Sequence, residues 1–112
     1  RPSPSEGMPV DVYVQPSLAK SAILQVDANT QVNLISVNLL NDVLRQGFQM
    51  WGPGQVLFQG GMIEVQGYVD LTWAFEGTRG MYRTRFFVPS TNDYYFDMVI
   101  CTASAREYGI RG

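Results

Sequence analysis

Val10, Val12 and Val14 alternate with Asp11 and Tyr13, the period of a strand with one buried face, and Pro16-Ser17 ends the run. Ala22-Ile23-Leu24-Gln25-Val26 predicts a second strand that delivers Asp27 into the polar turn Ala28-Asn29-Thr30. Leu34-Ile35 resumes the apolar pattern. Ser36 stands where a helix N-cap should, ahead of Leu39, Leu40, Val43 and Leu44 at helical spacing, with Gly47 as the stop, which predicts a helix of about three turns. After Trp51-Gly52-Pro53-Gly54, the runs Val56-Leu57-Phe58 and Met62-Ile63-Glu64-Val65 flank Gln59-Gly60-Gly61, a hairpin signal. Tyr68, Leu71, Trp73 and Phe75 continue a long strand. The turn Glu76–Gly80 leads to its antiparallel mate Tyr82–Val88, closed by Pro89-Ser90-Thr91-Asn92-Asp93. Met98-Val99-Ile100 is the last apolar run, and Ala103–Tyr108 predicts one or two helical turns. About seven strands and one clear helix define an all-β domain.

The 112-residue length fits a single domain. Three of the six prolines fall in residues 1–9, so that stretch is expected to be a flexible arm or linker and residues 10–112 the folded unit. The chain does not begin with methionine, which suggests a segment of a longer protein.

Composition narrows the chemistry. There is no histidine, which removes Ser-His-Asp and Cys-His hydrolysis and the usual zinc enzymes. Acid–base work must then run on carboxylates. Net charge is −2, and the cations are seven arginines and Lys20 without a basic run, so nucleic acid is not an expected partner. No apolar run reaches membrane-spanning length, and neither a metal nor a cofactor is expected. One cysteine permits no intramolecular disulfide and is compatible with a reducing, cytoplasmic setting.

The segment Ile23–Ser36 resembles the active-site stretch of the retropepsin-like aspartic proteases. In that family an apolar strand leads to Asp, a hydroxyl residue, Gly, and Ala or Ser, and a second apolar strand often ends in Ile-Ser before a helix. The likeness runs over roughly residues 10–110. Gln59-Gly60-Gly61-Met62 matches the flap tip, Met62–Phe75 the returning flap strand, Tyr82–Val88 its pairing strand, and Val99-Ile100-Cys101 the closing element near the site. The texture is closest to cellular and retroelement-derived members, particularly fungal ones. The resemblance implies an acid-protease β-barrel protomer with one or two short helices. It further implies a homodimer that binds an extended peptide at its two-fold axis, with Asp27 of each chain as the carboxylate dyad. Ala28, Asn29 and Thr30 would form the active-site turn.

Three positions depart from the pattern: Ala28 replaces the hydroxyl residue, Asn29 the glycine of the turn, and Cys101 the glycine of the closing element. In the family the hydroxyl reaches across to the partner chain. A lost hydrogen bond of that kind costs about 1 kcal/mol. Two carboxylates sharing a proton can hydrolyse a peptide without metal or histidine, one activating water while the other protonates the substrate. The plain alternative for Asp27 is a turn aspartate capping its own loop. At the level of the whole chain, the alternatives are a pseudo-protease that dimerises or holds a peptide without cleaving it, and a β-barrel assembly module of a larger protein.

Overall fold

The computed structural model describes residues 7–52 and 54–110. β1 (Met8–Gln15) and β2 (Leu18–Asp27) form an antiparallel hairpin around Pro16-Ser17. β1 takes in the last two residues of the expected arm: Met8 pairs with Leu24 and Pro9 with Ile23. Proline is tolerated near a strand's beginning, where a missing N–H interrupts little of the ladder. Gly7 precedes the strand, and residues 1–6 of the expected arm lie outside the described residues.

β3 (Leu34–Ile35) follows the Asp27 turn, and β4 (Gln49–Met50) and β5 (Gln55–Phe58) precede the long β6 (Gly61–Phe75). β7 (Met81–Pro89) and β8 (Met98–Cys101) complete the strands, and helix α1 (Thr102–Glu107) follows. Hydrogen-bonded neighbours run β1-β2-β8-β3-β7-β6, and β6 pairs in turn with β1, so the circuit of pairings returns to its start. Among the described residues six strand pairs are antiparallel, and two, β2–β8 and β3–β7, are parallel. β8 lies between β2 and β3, and all four of its residues are buried. That explains why Met98–Cys101 reads as an unbroken apolar run with no alternation.

Two apolar clusters result. The larger joins Val10 and Val12 of β1, Leu24 of β2, Leu71 and Trp73 of β6, Phe86 and Val88 of β7, and Met98 and Ile100 of β8. The smaller gathers Leu34, Val56, Phe58, Ile63, Val65 and Val99 between the β5–β6 hairpin and strands β3 and β8. Successive residues of a strand face opposite sides, so Leu34 and Ile35, like Val99 and Ile100, divide between the clusters. Buried Trp73 donates its indole N–H to the Thr84 hydroxyl at 3.0 Å, and that hydroxyl meets the Tyr108 hydroxyl at 2.7 Å, which fastens the end of α1 to the sheet.

β6 carries a bulge between Val65 and Gly67. A Cβ at Gly67 would strike the Gln49 carbonyl oxygen and the Phe48 ring, so the close approach of β4 requires glycine there.

The helix after Ser36 differs from the expected three-turn α-helix. Ser36 does accept the Leu39 N–H on its Oγ at 3.3 Å, but Leu39–Leu44 is π-helical and ends at Arg45 in the left-handed region, φ 53°, two residues before Gly47. The wider π turn puts Leu39 and Leu44 on one buried face and leaves Val43 exposed. No helix among the described residues is long and apolar enough to cross a membrane.

Candidate functional site

Asp27 is the last residue of β2 and stands in parallel register with Cys101, the last residue of β8. Both strands end at one edge, and the chain leaving β2 turns sharply. The Asn29 N–H donates to Asp27 Oδ1 at 3.0 Å, and the Thr30 hydroxyl donates to Oδ2 at 2.7 Å. Each carboxylate oxygen therefore has a partner within its own loop. Thr30 is buried and Asp27 half-buried, and these two side chains satisfy one another. Asp27 thus caps its own turn and also opens onto a cleft lined by Gln25, Val26, Asn29, Gln59 and Val99.

Of the other members of the turn, Asn29 shares that cleft, whereas Ala28 and Thr30 do not line it. Ala28 is exposed and lines a different hollow, with Val26, Thr102, Ala105, Arg106 and Ile110 beside α1. Among the described non-glycine residues only Arg45 and Gln59 have positive φ, so Asn29 adopts an ordinary backbone conformation and glycine is not needed there for that reason. Of the closing element, Val99 reaches the cleft, Ile100 is in the main core, and Cys101 is buried at the start of α1. The Cys101 N–H donates to Asn33 Oδ1 at 3.0 Å, and its sulfur lies 3.6 Å from the Ser104 hydroxyl.

The hairpin expected around Gln59–Met62 forms, with Phe58 opposite Gly61 and a tip of Gln59 and Gly60. Both tip residues have positive φ, 50° and 84°, the mark of a type I′ turn. Met62 is exposed on the returning strand. The tip does not stand free. The Gln59 N–H donates to the Thr30 hydroxyl oxygen at 3.2 Å, the Gly60 N–H to the Asn29 carbonyl at 3.2 Å, and the Gln31 N–H to the Leu57 carbonyl at 2.9 Å. The Leu57 N–H in turn donates to Gln31 Oε1 at 3.1 Å. Lower on the hairpin, the Phe58 ring packs against Tyr94 and Phe96, with centroids 5.4 and 5.2 Å away.

Two residues join the site that the sequence pattern passes over. Gln31 holds the hairpin edge. Asn33 bridges β8 and β7, accepting from Cys101 and donating through Nδ2 to the Arg85 carbonyl at 3.3 Å. A polar side chain inside a short apolar strand entry, as Asn33 is before Leu34-Ile35, is the one signal that could have marked it.

The ion pair between Arg85 and Asp70 bridges β6 and β7 away from the cleft. Among the described residues no group of three or more His, Cys, Asp and Glu side chains converges to hold a metal. No protein-family model matches the chain, and no curated protein matches it in sequence.

Proposed function

We propose that this chain is one half of a retropepsin-like aspartic peptidase, a β-barrel protomer that pairs with a second copy so that two Asp27 carboxylates meet over an extended peptide. The observation that carries the reading is the placement of Asp27: a carboxylate at the end of a strand beside buried β8, in a tight turn, beneath a glycine-tipped hairpin. The closed circuit of strand pairings supports the barrel part of the proposal. In the dimer one carboxylate takes a proton from water as its oxygen attacks the peptide carbonyl, and the other gives a proton to the carbonyl oxygen. The proton taken from water then passes to the departing amine as the C–N bond breaks, and the second carboxylate takes a proton back from the new carboxyl group, which restores the pair. Two like charges in contact do not both ionise readily, which keeps one proton in the pair. Strand pairing to the peptide backbone supplies affinity, and apolar side chains near the cleft select residues.

A second reading has its own support. Ala28 offers no hydroxyl to a partner chain, and both Asp27 oxygens are engaged within the loop, which favours a domain of the same fold that dimerises or binds peptide without hydrolysis. Cleavage of a mixed peptide library at mildly acidic pH by the wild type, abolished in Asp27→Asn, supports the peptidase. Peptide binding without cleavage in both proteins selects the second reading. A monomer that neither binds nor cleaves overturns both.

A further inference from the structure

The four hydrogen bonds between the β5–β6 hairpin and residues 29–31 lie on one edge. In the β5–β6 ladder the Phe58–Gly61 pair flanks the two-residue tip, so alternate residues of β5 turn their N–H and C=O away from β6. Leu57 is such a residue, and both its backbone groups are taken by Gln31, one by the main-chain N–H and one by the side-chain amide oxygen. We infer that Asn29–Gln31 acts as an internal occupant of the hairpin's outer edge, with Gln31 as its latch, and that an extended peptide must displace it to pair there.

This inference rests on the peptide-binding reading above but can fail separately from it. Backbone groups of an exposed strand edge are the usual template for adding a further strand. Here the chain has already filled that template locally, in the manner of a short bound strand. The contact also couples the edge to Asp27. Gln59 N–H, the Thr30 hydroxyl and Asp27 Oδ2 form one chain, so lifting the tip removes a donor from the hydroxyl that holds the carboxylate. Beneath the tip, Val56, Phe58 and Ile63 close on Leu34 and Val99, so the roof of the cleft rests on its floor. A ligand that requires the open hairpin binds with an affinity reduced by the fraction of molecules that are open. Removing the Gln31 side chain therefore raises apparent affinity without touching the surface the ligand uses.

Amide hydrogen exchange on the intact chain, read residue by residue by NMR, tests the latch. Leu57 and Gly60 are exposed residues, yet their amides are expected to exchange at least about tenfold slower than free loop amides. In Gln31→Ala the Leu57 amide should speed up about five- to tenfold, the effect of one hydrogen bond, while the Val56 amide stays unchanged within its ladder to β6. A pool of randomised decapeptides, titrated while the Leu57 and Gly60 resonances are followed, should bind Gln31→Ala tighter by a similar factor. Exchange of Leu57 and Gly60 at free-loop rates in the wild type overturns the latch. Protected amides with equal peptide affinity in the two proteins overturn the competition. Protected amides released by Gln31→Ala, with peptide bound by neither protein, uphold the latch and overturn the peptide-binding function instead.

Discussion

The Thr30 hydroxyl lies 2.7 Å from Asp27 Oδ2, so the hydroxyl beside this carboxylate comes from three residues further along the same chain, while residue 28 is alanine. Thr30 is 5% exposed, and its oxygen also accepts the Gln59 N–H. Thr30→Val keeps the shape and removes both interactions, leaving the Gln59 amide and Asp27 Oδ2 without the partner they share. The expected loss is about 1–3 kcal/mol of unfolding free energy, and Thr30→Ser should recover most of it. Urea unfolding of the three proteins checks this. Equal midpoints for wild type and Thr30→Val would show that the hydroxyl contributes nothing.

Gln59 holds φ 50° at a position where a side chain with a Cβ is strained, whereas its neighbour Gly60 meets the same demand at 84° without cost. Gln59 is exposed, and its backbone N–H is the group that Thr30 uses, so the side chain can be exchanged. Gln59→Asn gives the Asn-Gly pair that suits a type I′ turn and should raise stability by roughly 0.5–1 kcal/mol. A thermal melt that moves down, or not at all, refutes the strain at this residue.

The sheet and much of the site can be read from the sequence because period-two patterning is a local signal. Val10 and Val12, the glycine-tipped hairpin, and the strand that ends at Asp27 all follow from neighbours in the chain. Arg45 is harder to foresee: without glycine, nothing local marks a left-handed helix end, and the π turn that exposes Val43 comes from burial of Leu39, Leu40 and Leu44. Gln31 illustrates the same limit. It is an exposed polar residue beyond a turn, and its meaning comes from Leu57, 26 residues away, once the hairpin has folded back. Met8 and Pro9 join β1 because β2 continues opposite them, a tertiary pairing that outweighs proline's local preference.

Arg85 donates from Nε and Nη2 to the two oxygens of Asp70, at 2.9 and 3.1 Å, and its guanidinium sits 4.0 Å above the Tyr68 ring. The hydrogen bond from Arg85 holds the Asp70 carboxyl below its ordinary range; burial opposes it, and the Arg85 and Arg83 charges add to the lowering. A folded-state value depressed below the unfolded one means that the stabilisation is present above the unfolded carboxylate pKa. It is lost as pH falls through the folded value. Solvent screens so exposed a pair, so the effect is small and salt-sensitive. Asp70→Asn should therefore flatten the acid side of the stability curve slightly and leave its neutral side parallel to the wild type. Urea midpoints measured across the acid range at low and high salt decide it; an acid slope identical in both proteins would rule the coupling out.

Ala28 and Asn29 make opposite predictions, although both depart from the same family pattern. Ala28 is exposed within the monomer, so Ala28→Ser places its new hydroxyl in water and monomer stability should change by less than about 0.5 kcal/mol. If two copies meet at this turn, the added hydroxyl contributes across the interface twice, together on the order of 1–3 kcal/mol, and the dimer should dissociate less readily. Asn29 already lies in an ordinary backbone region, so Asn29→Gly relieves no strain. It adds freedom to the unfolded chain and should cost about 0.4–1 kcal/mol. Sedimentation equilibrium and urea unfolding on each single variant separate the two effects. An Ala28→Ser variant that associates no more tightly than wild type would place the turn outside any dimer contact. An Asn29→Gly variant more stable than wild type would show that the asparagine side chain crowds the hairpin tip, whose Gly60 N–H the Asn29 carbonyl accepts.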